Sequence, residues 1–121
     1  MVASAYKDFK NLADGASTTL DVVLNTTIKN GFIIFEVGHC GASDITKAGA
    51  YWDVSGLEPP NGGKQKTSIP IAAAWDNGVY SMIPIRNIAA QTYTFTFTNH
   101  TGVATNSGYN SRVQAYFIKL N

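Results

Sequence analysis

Cysteine is nearly absent: Cys40 stands alone in 121 residues, so no internal disulfide can form and stability must come from a core. Charge is also scarce, at 14% Asp, Glu, Lys and Arg against about 25% in an average soluble domain. The net charge of +1 is built without a basic run or an acidic tail. Nucleic acid is therefore excluded as a partner, because phosphate neutralisation needs clustered Lys and Arg and the densest pair here is Lys64 and Lys66. No apolar run approaches the roughly 18 residues of a membrane helix, so no membrane insertion is expected. The opening MVASAYKDFKNLADG lacks the apolar segment of a signal peptide.

Uncharged polar residues fill the gap. Twelve Thr, ten Asn and eight Ser make up a quarter of the chain. Thr suits the pleated face of a strand, and a surface poor in Lys and Glu also suits a subunit interface. A chain of this length is one domain, 1–121, large enough to bury about two thirds of its unfolded surface.

Strand patterning dominates. In TYTFTFT (92–98), Tyr93, Phe95 and Phe97 share one parity and four threonines the other, the period-2 pattern of a half-buried strand. TTLDVVL (18–24) places Leu20, Val22 and Leu24 together. FIIFEVG (32–38) and RVQAYFIKL (112–120) are apolar on both parities, which requires either a face-switching bulge or cover on both sides. Further strands are expected near 48–54, 67–74 and 79–86; Pro70 and Pro84 place the last two at edges or bulges. Turns are expected at Asp14-Gly15, Asn30-Gly31 and Asn77-Gly78, with longer loops at 59–63 and 99–102. A short helical turn fits Ala5 to Leu12. Seven or eight short antiparallel strands with such turns predict an all-β sandwich or jelly roll.

No catalytic constellation emerges. His39 and Cys40 are adjacent, and neighbours on a strand face opposite ways, so they form no dyad. Cys40 reads as a buried structural residue. Zinc would need a second ligand cluster beside His39, Cys40 and Asp44. For calcium, Asp53, Asp76 and Asn77 supply oxygens, but no D-x-[DN]-x-[DN]-G loop occurs. No metal or cofactor is expected, nor an enzyme. Glu36, inside the most apolar strand, reads as a surface position. Asn25-Thr26-Thr27 and Asn99-His100-Thr101 match the N-glycosylation pattern, which a Thr- and Asn-rich chain also generates by chance.

Aromatics in polar settings carry the binding expectation. Tyr51, Trp52 and Asp53, then Trp75, Asp76 and Asn77, then Asn99 and His100 place rings beside hydrogen-bonding groups near turns. A sugar stacks its C–H face on such a ring while Asp and Asn take its hydroxyls. A core role for at least one of the two Trp is also expected.

Three stretches carry a resemblance: NLADGASTTLDV (11–22), NGFIIFEVGHCGAS (30–43), and the close TYTFTFTNHTG (92–102) followed by RVQAYFIKLN (112–121). Together they cover about a third of the chain, which resembles the C-terminal head domains of bacteriophage tail fibres and receptor-binding proteins. The resemblance implies a trimeric β-sandwich or jelly roll closing a longer chain, on a virion or otherwise extracellular, that adsorbs to cell-surface saccharides or proteins. It carries no binding residue onto this sequence. A monomeric carbohydrate-binding module or lectin, and a virion structural protein without a small ligand, are the alternatives.

Overall fold

The computed structural model describes residues 1–43, 45–57, 65–70 and 77–121, with 65–70, 77 and 78 described by backbone alone. Eight strands follow one another among them: β1 (Ala3–Phe9), β2 (Ser17–Leu24), β3 (Ile28–His39), β4 (Tyr51–Leu57), β5 (Gln65–Pro70), β6 (Asn77–Ile88), β7 (Gln91–His100) and β8 (Ser111–Lys119). They form two four-stranded antiparallel sheets, β1-β8-β3-β6 and β2-β7-β4-β5. First pairs with last, second with seventh, third with sixth and fourth with fifth. The chain is thus one long antiparallel ribbon rolled up until β8 meets β3 and β7 meets β4. That order makes the sandwich a jelly roll.

The inward parities meet between the sheets. Leu20, Val22 and Leu24 on β2, with Phe95 and Phe97 on β7, face Ile33, Phe35 and Val37 on β3 and Val113, Ala115 and Phe117 on β8. Phe35 sits edge-on to Phe95 at 4.9 Å and to Phe97 at 6.0 Å, the arrangement that aromatic quadrupoles favour. Pro70 and Pro84 lie on β5 and β6, the edge strands of their sheets, where a missing N–H breaks no inner ladder.

Four expectations are corrected. The segment from Ala5 is not helical: it belongs to β1, whose Ala3, Ala5 and Phe9 point inward with Tyr6 and Asp8 outward. Asn30-Gly31 is not a turn but lies within β3, paired with Arg86 and Ile85. Gly31 is required there because a Cβ would run into the backbone carbonyl of Ile118 on β8. Asn77-Gly78 opens β6, opposite His39 and Gly38. The strand expected at 48–54 runs Tyr51–Leu57. Residues 71–74 of the strand expected at 67–74 lie outside the described residues. Asp14-Gly15 does turn, with Gly15 at φ 82°. The β8 register against β3 is unbroken from Arg112 to Lys119, so no bulge switches its faces.

Candidate functional site

Parity decides which of the expected binding residues reach the surface. Along β4, Trp52 and Val54 point into the core and Tyr51 and Asp53 point out. Trp52 is fully buried; its indole N–H donates to Nδ1 of His39 at 3.2 Å, and the ring of Phe9 meets it edge-on at 5.8 Å. Asn99 is equally buried, and its amide knits loops together. Its Nδ2 donates to the carbonyls of Leu12 (3.2 Å) and Val103 (2.9 Å), while its Oδ1 accepts from the backbone N–H (3.0 Å) and hydroxyl (2.6 Å) of Thr101. Trp52 and Asn99 are therefore corrected from surface binding residues to core and loop-tying residues. The same burial closes Asn99 to glycosylation in the folded chain. Trp75 and Asp76 lie outside the described residues, as does Asp44, and of Asn77 only the backbone is described.

Tyr51, Asp53 and His100 do come together. Tyr51 on β4 pairs in register with His100 on β7, and their rings stack at 4.9 Å with 23° between planes. His100 Nε2 lies 3.1 Å from Asp53 Oδ2. The Asp53 side chain is 13% exposed and that of His100 33%, so the carboxylate is set beneath a half-open imidazole. From this trio a strip of hydroxyls continues across the outer face of β2-β7-β4: Thr94, Thr96 and Thr98 on β7, Ser17 and Thr19 on β2, and Ser55 on β4. Ser17 and Thr98 share a hydrogen bond of 2.7 Å, and the Thr94 hydroxyl donates to Asp21 at 2.6 Å. These contacts fix the Ser17, Thr98 and Thr94 hydroxyls.

The outer face of the other sheet has a different chemistry. Its side chains stand in rows across β1, β8, β3 and β6, fixed by register. Ile118, Phe32 and Pro84 make one row, and Ser4, Tyr116, Ile34 and Met82 the next. Then come Tyr6, Gln114, Glu36 and Tyr80, and last Asp8, Arg112, Gly38 and Gly78. Asn30 and Arg86 flank the apolar rows at one end, and polarity rises again toward Arg112 at the other. Tyr6, Tyr80 and Met82 are 58%, 67% and 54% exposed. Glu36 is half-buried, and the Tyr116 hydroxyl donates to its Oε2 at 3.1 Å. Burial, then the Glu36 carboxylate, holds that hydroxyl above its ordinary titration range. Arg112 grips Asp8 through Nε (2.6 Å) and Nη2 (3.2 Å), with its guanidinium 4.1 Å above the Tyr6 ring. That fork keeps the Asp8 carboxyl below its usual range. A cavity of about 210 Å³ opens at the polar end, lined by Glu36, Gly38, Tyr80, Arg112 and Gln114 together with Val37 and Val79. The sequence reading missed this notch. Its signal was present: Glu36 and Gly38 share one parity of an otherwise apolar strand.

Among the described residues no group of three or more His, Cys, Asp or Glu is placed to hold a metal ion.

The class that this architecture defines is the eight-stranded jelly-roll β-sandwich. No protein-family model matches the chain, and no curated protein matches it. Among solved structures it is similar to part of a family GH115 4-O-methyl-α-glucuronidase with specificity for decorated arabinogalactans. That match has a TM-score of 0.50 and 12% identity over 96% of this chain and 14% of the other. It is also similar to part of the enzymatically active domain of tailspike protein 4 from bacteriophage CBA120, with a TM-score of 0.37 and 6% identity over 95% of this chain and 19% of the other. The chain thus spans less than a fifth of either protein. At 12% identity the likeness to the glucuronidase is one of fold alone.

Proposed function

We propose that this domain is a non-catalytic, homo-oligomeric binding head of the receptor-binding or adhesion kind, which recognises a cell-surface glycan or protein. The opposed chemistry of its two outer faces supports the reading. The face of β2-β7-β4 offers ordered hydroxyls beside Tyr51, Asp53 and His100, a surface matched to a neutral, hydroxyl-rich ligand. The face of β1-β8-β3-β6 offers Phe32, Ile34, Met82, Pro84, Tyr116 and Ile118 as one block, and a second copy of the chain covers it in the assembly. Four strands at about 4.8 Å spacing and seven residues at about 3.3 Å give that whole face on the order of 400 Å² in projection. Its charges, Asp8, Glu36, Arg86 and Arg112, lie outside that block and are two of each sign, so they do not oppose an identical copy seated on the block. The sequence resemblance adds the setting, a virion or other extracellular surface, and a trimer as the assembly.

A glycan array probed with the tagged chain tests the reading. The parent binds neutral glycans, and Tyr51→Ala and His100→Ala lose that signal while melting like the parent. Absence of binding by the parent, or binding that both variants keep, contradicts it. A monomeric carbohydrate-binding module is the second reading, favoured by the same trio and separated from the first by oligomeric state.

A further inference from the structure

We infer that the notch over Gly38 is a second binding subsite, on the opposite sheet from Tyr51, that takes one neutral hydroxyl-bearing ring such as a saccharide residue. The inference begins with a glycine that the backbone does not require. Gly31 on the same strand is dictated by the Ile118 carbonyl, but among the described residues a Cβ on Gly38 would meet nothing nearer than the Arg112 carbonyl at 3.8 Å, and Gly38 does not have a positive φ. A glycine inside a strand weakens it, and marks a bulge or a place where something approaches the backbone closely. Here the pairing on both sides is regular, Gly38 with Gly78 and with Arg112, so there is no bulge. Among the described residues nothing fills the gap, which leaves room for an occupant.

The walls say what kind. Tyr80, 67% exposed, offers a ring face for C–H stacking. Glu36 supplies carboxylate acceptors, Gln114 an amide that both donates and accepts, and Arg112 donors. Two of these groups are held in place before any ligand arrives: Glu36 by Tyr116, and Arg112 by the Asp8 fork and the Tyr6 ring. Such preorganisation lowers the cost of binding. An anion is disfavoured, because the Arg112 charge is already matched by Asp8 and Glu36 adds a negative charge. A cation offers no acceptor to the Arg112 and Gln114 donors on the wall. A mixed set of donors and acceptors beside an aromatic ring fits adjacent hydroxyls of a neutral ring. At about 210 Å³ the cavity is smaller than the roughly 300–1,000 Å³ of drug-sized pockets, so it holds one ring and not an oligomer. The notch lies at the polar end of the face, about 20 Å along β3 from Phe32, so a copy seated on the apolar block leaves it open at the rim.

An amide NMR titration of the whole chain tests this, with methyl glycosides of glucose, galactose, mannose and N-acetylglucosamine as probes and phosphate and methylammonium as controls. At least one glycoside is expected to shift the amides of Gly38, Tyr80 and Gln114, and the controls are not. Gly38→Val fills the notch with a residue that strands favour. It should keep the parent's melting temperature and weaken that glycoside at least tenfold, as should Tyr80→Ala. Shifts confined to Tyr51 and His100 would overturn this subsite and leave the proposed function standing. No shift with any glycoside, a notch that answers only to phosphate or methylammonium, or undiminished binding by folded Gly38→Val would each overturn it.

Discussion

The indole of Trp52 donates its hydrogen bond to Nδ1 of His39, 3.2 Å away, and so fixes the tautomer of a fully buried imidazole. With Nδ1 accepting, the neutral ring carries its proton on Nε2. That atom has no hydrogen-bond partner among the described residues. Burial holds the His39 pKa below its ordinary 6.5.

Stability should therefore fall on the acid side of neutrality. Unfolded His39 takes up a proton near pH 6.5 and the folded core resists it, so the unfolded state binds more protons in that window. The contribution of His39 is complete above pH 6.5. It declines by up to about 1.4 kcal/mol per pH unit as pH drops toward the lower folded value, and then levels off. Urea unfolding of the parent and His39→Phe between pH 7.5 and 5 checks this. The parent should lose stability over that range more steeply than the variant.

Trp52→Ala should destabilise the domain by roughly 3–5 kcal/mol, the range for a large aromatic removed from a packed core. The variant also strips His39 of its donor and Phe9 of its edge contact. Thermal and urea melts give the number. A Trp52→Ala chain as stable as the parent would mean that the indole is not packed as described.

Cys40 should react slowly with iodoacetamide near neutral pH and become reactive once the chain is unfolded in urea. The residue is 6% exposed, and its backbone N–H and carbonyl are both tied to the Ser111 hydroxyl, at 2.9 and 3.3 Å. Fast labelling of the native protein would contradict this placement.

The strands that can be read directly are those whose two faces differ sharply. TYTFTFT alternates ring and hydroxyl, and β7 has Phe95 and Phe97 inside with Thr94 and Thr96 outside. β1 escapes because its inward residues include two alanines, while the outward Tyr6 supplies a helix-like spacing to Phe9. The Asn-Gly pairs mislead because Gly31 answers to a neighbouring backbone carbonyl and not to a turn. Trp52 and Asn99 mislead because polar neighbours in sequence do not make a polar setting in space. On a strand the neighbours Tyr51 and Asp53 face away from Trp52, and Asn99 hydrogen-bonds to loops that the sequence does not align. Tyr51, Asp53 and His100 meet through register between β4 and β7, which composition does not encode.

We propose a division of labour between the two outer faces: copies of the chain close the apolar block of one, leaving the notch at its polar end open, and the ligand meets the hydroxyl face of the other. Light scattering at tens of micromolar tests it most directly, with the parent compared against Ile34→Glu, a charge placed in the middle of the apolar block. The parent is expected to form a defined oligomer, with three copies as the expected number, and the variant a folded monomer. A parent that is monomeric at that concentration, or a variant that assembles as the parent does, would contradict it.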